Sequence, residues 1–445
     1  MDSDQAVKPR ELLSVPDGIF LTVGMVIGVG IFKAPSIVAA NTSSTTEFLL
    51  AWLIGGVVSL CGALVYAELS ARHPHSGGEY TFLSKAFGQD TAFLFAWARM
   101  TVVQTGVIAA VAFVFGEYAS ELLRLGEKST ALWAAIAVVV LSALNFAGTL
   151  QSKRLQKIME IALISALVLL ALAALVYGGA GAKPAPASGG GGAFGLAMIF
   201  VLFTYGGWNE AAYLAGEVRE ARRNMTKVLI WGIVTVTGIY LLVNIGYIAA
   251  LGLGGVRESK AVAADLMRAI AGDRGAVVIA LIVCVSALTT MNAAIFTGAR
   301  TNWALGRDFA LFRVLGSWRE KGSTPANALL VQGVITLVLV AAGSQTPDGF
   351  GAMVAYTAPV FWTFFLLTGI SLFTFQARGD EPPAFKAPFH PLLTLAFLAM
   401  CAYMLWSSID YIRNPVFGPR FGDMVLAGLA VMAAGIPLYF FARKR

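Results

Sequence analysis

The stretch Val23-Gly24-Met25-Val26-Ile27-Gly28-Val29-Gly30-Ile31-Phe32 decides how this chain is read. It lies inside an apolar run from about residue 15 to residue 40, and a bilayer core takes only about 20 helical residues. Gly28 and Gly30 stand near the middle of that run. Glycine weakens a helix interior by about 1 kcal/mol relative to alanine and accepts backbone angles that other residues avoid. In hydrocarbon an unwound turn is tolerated only where its freed N–H and C=O groups meet protein or water. The pair therefore either offers main chain to a polar ligand or lets two helices approach closely.

Composition places the stretch in context. The 445 residues are 58% hydrophobic and 13% charged, about half the charged fraction of a soluble domain. With a mean hydropathy of +0.74, this is the composition of a polytopic membrane protein. The net charge of +7 is spread over short loops between apolar runs, so no nucleic-acid partner is expected. Cys61, Cys284 and Cys401 all fall in apolar runs without metal or disulfide spacing. His73, His75 and His390 fall in loops, which argues against an intramembrane metal or histidine relay. No cofactor is expected. Residues 1–14 are polar and the first apolar run is too long for a signal h-region, so no cleavable signal peptide is expected.

Apolar runs of spanning length occur at about 15–40, 47–71, 91–122, 129–148, 155–177, 194–217, 226–252, 275–305, 325–343, 350–375, 392–412 and 422–442, giving an all-α protein of twelve transmembrane helices. With both termini in the cytoplasm, the inner segments carry 21 lysines and arginines and the outer ones nine. Lys33 and Arg99 lie within spans. This asymmetry satisfies the positive-inside rule and predicts a multi-pass plasma (inner) membrane protein. Residues 178–193, rich in Gly, Ala, Pro and Ser, read as a flexible external loop. Residues 256–272 carry Val262, Leu266 and Ile270 at spacings of four, an amphipathic helix on the outer surface.

The sixth span is interrupted as the first is, at Phe203-Thr204-Tyr205-Gly206-Gly207-Trp208-Asn209-Glu210. The second break comes five spans after the first, and five is odd, so the two halves run in opposite senses through the membrane. Glycine-interrupted helices at matching places in inverted halves point to a transporter binding site. Packing alone explains neither the spacing nor Asn209 and Glu210.

Several motifs then resemble the amino acid–polyamine–organocation (APC) superfamily, especially its L-type amino acid transporter branch. Gly28-Val29-Gly30-Ile31-Phe32 with Pro35 resembles its first-helix signature. Ala67-Glu68-Leu69-Ser70-Ala71-Arg72, Pro74 and Ser76-Gly77-Gly78-Glu79-Tyr80 resemble the loop after its second helix. Phe203 to Asn209, Gly216-Glu217-Val218 and Arg222-Arg223-Asn224 resemble its sixth helix and exit. Met291-Asn292-Ala293-Ala294-Ile295-Phe296, Arg300 and Gly306-Arg307-Asp308 resemble its eighth.

The resemblance implies two inverted five-helix repeats, at 15–177 and 194–375, with peripheral helices 11 and 12 inside 392–442. The cytoplasmic segment 1–14 and the basic residues 443–445 close the two ends. It also implies a substrate with free α-amino and α-carboxylate groups. The amides of Val29, Gly30 and Ile31, at the positive end of the outer half-helix, are expected to take the carboxylate. The carbonyls of Val26, Ile27, Phe203 and Gly206 around the breaks at Gly28 and Gly207 are expected to take the ammonium. By resemblance Phe203 closes over the substrate, and Trp208 and Asn209 line the side-chain pocket. Two positions depart from the pattern. Val29 stands where a serine is common, and Leu163 where many members place a lysine that stands in for a coupling ion.

Charges within spans are functional by default. Lys33, Glu160 and Glu210 are the gating or coupling candidates, each with a plain structural pairing as its alternative. Arg99 is expected to pair or snorkel. Ser286, Thr289 and Thr290 offer oxygens to a sodium ion or, more ordinarily, to their own helix. The sequence thus predicts a secondary transporter of amino acids, an exchanger or proton symporter working by alternating access, and not an enzyme. The alternatives are a transporter-fold sensor without flux and a polyamine or cationic amino acid permease. A channel would need a continuous polar pore, and a membrane enzyme a nucleophile, a metal or a carboxylate pair at helical spacing. Residues 123–129 contain no cysteine, where the animal L-type relatives carry one, so no disulfide-linked accessory subunit is expected.

Overall fold

The computed structural model describes residues 13–73, 78–148, 153–177, 193–212, 214, 218–319, 324–378, 383, 385–410 and 419–443. The first span is built from three pieces. α1 (Val15–Val26) starts at a capping box in which Ser14 Oγ accepts from the Asp17 amide and Asp17 accepts from the Ser14 amide, with Pro16 in the first turn. It is only about 18 Å long at 1.5 Å per residue, about half a bilayer. The chain then runs extended through Ile27 (φ −73°, ψ 103°) and Gly28 (φ −123°, ψ −166°). A 3₁₀ turn over Val29–Phe32 and α2 (Ala34–Ala40) complete the crossing.

The remaining spans follow in order. The second is α3 (Thr45–Arg72), and α4 (Glu79–Phe87) links it to the third. That span joins α5 (Gln89–Ala98) to α6 (Gln104–Leu122) through a π turn at Arg99–Val103. α7 (Ser129–Ala147) and α8 (Lys153–Tyr177) are the fourth and fifth. The sixth is broken into α9 (Phe194–Thr204) and α10 (Trp208–Ala212). α11 (Ala221–Glu258) and α12 (Val262–Asp308) are the seventh and eighth, kinked by left-handed glycines at Gly252 (φ 67°) and Gly272 (φ 68°). α13 (Ala326–Gly343), α14 (Gly349–Ala377), α15 (Leu392–Asp410) and α16 (Pro419–Arg443) complete the twelve.

Among the described residues, nine helical segments, with α5, the π turn and α6 counted as one, are long and apolar enough to cross a membrane unaided; α1, α9 and the Glu160–Val176 part of α8 are shorter apolar helices. The breaks expected near Gly28 and Gly206 are both present, and the predicted span limits differ from the helices mainly where kinked helices run on past the apolar core. Of the amphipathic stretch expected at 256–272, residues 256–258 end α11 and the part from Val262 on forms the first turns of α12, with Val262 and Leu266 buried against the protein and Arg268 turned toward Glu121. Of the loop expected at 178–193, only Ala193 lies among the described residues.

Of the described segments long and apolar enough to cross unaided, the third span is the most buried and α16 the least. α6 packs along α12 and α7, and α11 along α8, α3 and α1. α15 packs on α14, α3 and α9, and α16 on α14 and α5. Side chains such as Val139, Leu169, Val338 and Phe441 are exposed on the outer faces. In water such a surface would aggregate; against acyl chains it is the correct solvent.

Candidate functional site

The two breaks lie against each other. Gly207 has φ +106°, and a Cβ there would stand 2.2 Å from the Met25 carbonyl oxygen of α1. A Cβ on Gly30 would stand 3.0 Å from Thr204 Oγ1 and 3.3 Å from Thr204 Cα in α9. Gly207 is thus required by the main chain of the first span, while Gly30 lies in tight contact with Thr204 of the sixth. Nothing lies within 4 Å of where a Cβ on Gly28 would stand, so the space beside this interlocked pair is open at Gly28. The 3₁₀ turn begins there without a side-chain cap, and the amides that open a helix have no partner inside it.

Three tyrosines hold the loosened main chain. Tyr240 Oη on α11 lies 3.1 Å from the Val26 carbonyl oxygen and 3.0 Å from that of Thr204, touching both breaks. Tyr247, two turns on, donates to Ile31 O at 3.5 Å, and Tyr118 donates to Phe32 O at 2.8 Å. Tyr205 donates to Trp52 O at 2.9 Å and packs edge-on to Tyr240. None of these was singled out from the sequence, although Tyr240 and Tyr247 are seven residues apart on one helix face. An isolated tyrosine in an apolar run has too many structural uses to be read as a clamp.

The other expected site residues separate into groups. Val26 O is engaged by Tyr240, and Phe203 O accepts from the Gly206 amide at 3.1 Å. Val29 and Ile31 have buried side chains, and Ile27 is also buried. Phe203 is half-buried, edge-on to Phe350 at 5.8 Å. Trp208 is buried among Tyr66, Phe365 and Phe397.

Asn209 points to the end of the bundle that bears the termini. Its Nδ2 donates to Glu79 Oε1 at 3.1 Å, and Arg99 donates to Glu79 Oε2 at 3.4 Å. One carboxylate therefore ties α10, α4 and the π turn of the third span. Glu210, with an exposed side chain, lies within electrostatic reach of Arg99 and Glu79. At the same end, burial and then the Asp308 carboxylate push the Tyr80 hydroxyl up to about 12, so it stays protonated and donates to Asp308. Glu68 accepts from Arg72 at 2.8 Å, Gln376 at 3.3 Å and the Ala387 amide at 2.9 Å.

Glu160 on α8 fills the space that Gly24 leaves on α1: a Cβ on Gly24 would stand 1.1 Å from Glu160 Oε1. Leu163 is buried one turn further. At the end opposite the termini, Lys33 pairs with Glu117 at 2.7 Å and Asp348 at 3.7 Å. Thr289 donates to its own helix at Val285 O. No metal-binding cluster of acidic, cysteine or histidine residues exists among the described residues. A groove of about 410 Å³ between α1, α8 and α11 is apolar except at Ser165 and Thr235, and lacks the partners a zwitterion needs.

Two helices broken at mid-span and bound to each other within a bundle of twelve define a transporter of the broken-helix class. The sequence profile described as amino acid permease matches residues 13–430, and the chain belongs to that family, whose members are transporters and not enzymes. The mouse b(0,+)-type amino acid transporter 1 is 30% identical over 394 residues, covering 85% of this chain and 79% of that protein. The serine/threonine exchanger SteT of Bacillus subtilis (strain 168) is 25% identical over 435 residues, 96% and 95% of the two chains. The mouse large neutral amino acids transporter small subunit 2 is 28% identical over 436 residues, 94% and 78% of the two chains.

Proposed function

We propose that this chain exchanges amino acids across the membrane by alternating access, holding the zwitterion where the two broken spans meet. The observation that carries this is the interlocking of Gly207 with the α1 main chain beside open space at Gly28. The substrate carboxylate is received by the amides of Val29, Gly30 and Ile31, whose turn presents its positive end there. The ammonium is received by carbonyls at the breaks, Ile27 and Gly206 foremost, because Val26 O and Phe203 O already accept hydrogen bonds. Phe203, against Phe350, closes over the site. The side-chain pocket is bounded on the far side by Gly207, Trp208 and Asn209.

The halves 15–177 and 194–375 act as inverted repeats, with both termini in the cytoplasm of a plasma or inner membrane. Glu160 over Gly24 and Glu210 near Arg99 are the proton carriers of any coupled mode. The chain works without a disulfide-linked second subunit, since its three cysteines all lie within spans.

Purified protein in proteoliposomes tests this. Uptake of labelled amino acid that requires unlabelled amino acid inside establishes exchange. Uptake driven by an inward proton gradient into empty vesicles replaces exchange with symport. Saturable binding without flux makes the chain a sensor, and neither binding nor flux for any of the twenty amino acids rejects the reading.

A further inference from the structure

Lys33 is the least expected residue of the first span. It is a fixed cation within an apolar run, 6% exposed, set between Glu117 of α6 (12% exposed) and Asp348, the N-cap of α14 (19% exposed). Asp348 Oδ1 also accepts from the Gly351 amide at 3.2 Å. Glu117 Oε2 is buried and hydrogen-bonds nothing among the described residues. The neighbouring charges are Lys260 in the turn before α12, Glu121 on α6, Asp265 and Arg268 at the start of α12, and Arg257 at the end of α11. Arg268 is engaged with Glu121, Asp265 and Asp273, and Arg257 with the carbonyls of Ala39 and Thr42. Tyr118, beside Glu117, donates to Phe32 O.

Among the buried groups, two carboxylates on one ammonium leave one negative charge in excess; Lys260, the other cation within electrostatic reach of Glu117, is exposed to solvent. Burying an unbalanced charge is costly, and one proton removes the excess. Once the second half of the first span draws away from α14 and water enters, the buried, unpartnered Oε2 of Glu117 is hydrated and that group is an ordinary carboxylate, ionised near neutrality. The closed arrangement therefore holds one proton more than the open one. By linkage, lowering the pH on that face favours closure and raising it favours opening.

We propose that Lys33, Glu117 and Asp348 form a proton-linked latch that shuts the end of the bundle opposite the termini, taking up one proton as it closes. The latch rests on the transport reading only for its effect on flux, so its primary test needs no substrate. Spin labels at Ser43→Cys and Gln345→Cys, with Cys61, Cys284 and Cys401 replaced by alanine, report the separation of the first and tenth spans in nanodiscs by pulsed electron resonance.

The wild-type cluster is expected to show two distance populations, with the open:closed ratio rising by about tenfold per pH unit across the titration. Glu117→Gln leaves a neutral Lys33–Asp348 pair and is expected to stay closed at every pH. Lys33→Met leaves two unpaired acids and is expected to open at lower pH. Should that variant fail to fold, as judged by elution profile and thermal unfolding, Asp348→Asn replaces it and is expected to stay closed as Glu117→Gln does. Populations that ignore pH in the wild type, or a Glu117→Gln response that tracks the wild type, overturn the latch. In exchange-competent vesicles, Glu117→Gln is further expected to flatten the dependence of exchange on the pH of that face. A protein that shows the distance response but no flux keeps the latch and loses the transport reading.

Discussion

At the scale of single residues, the glycines of the two breaks do different jobs and should respond differently to substitution. Gly207→Ala places a methyl 2.2 Å from Met25 O at a left-handed φ, so folded protein is expected to be lost, as size-exclusion yield will show. Gly28→Val adds bulk where nothing lies within 4 Å, at a φ that valine accepts. It should keep its melting temperature and lose amino acid binding by tenfold or more in a scintillation proximity assay; unchanged affinity would move the substrate away from the first break. Gly30 is a poorer probe, because a leucine there meets Thr204 before it meets any ligand. Tyr240→Phe strips a hydroxyl from two buried carbonyls and should cost about 1–3 kcal/mol of stability, read as a lower melting temperature in detergent. The glycines were legible in sequence because an interrupted apolar run has few explanations. The partners of Lys33 were not, since Glu117 and Asp348 are 84 and 315 positions away and only the packed bundle brings them together.

At the scale of elements, span count, order and the two interruptions could all be read from hydropathy and glycine placement. What could not be read was how one carboxylate joins three elements. Glu79 holds Arg99 of the third span and Asn209 of α10, so the end that bears the termini is closed by side chains that the chain order separates by up to 130 residues. Arg99→Met is expected to leave Glu79 with a weaker anchor and to free α10. Hydrogen–deuterium exchange over the peptides spanning 194–212 should then quicken severalfold while those of α14 stay slow. Equal rates in both proteins would reduce the Glu79 cluster to surface decoration. The π turn at Arg99–Val103 belongs to the same device, since it sets Arg99 toward α4 without interrupting the third span.

At the scale of the whole molecule, the bundle is tied at both ends, by Glu79 and Glu68 at one and by Lys33 at the other. Alternating access requires that these ties be broken in turn, never together. The composition already implied a membrane solvent, and the low burial of α16 agrees with it. A single chain reconstituted without other polypeptides is expected to exchange amino acids. If flux appears only when a second protein is co-reconstituted, the single-chain expectation fails.

Tyr240 has one hydroxyl hydrogen and two carbonyl claimants, Val26 on the first span and Thr204 on the sixth. Neither claim can be met in full while both are pressed. If either segment swings aside, the one left behind inherits the donor undivided, and the departing segment forfeits only half a bond. The seventh span thus divides a single proton between the first and the sixth, and is committed wholly to neither.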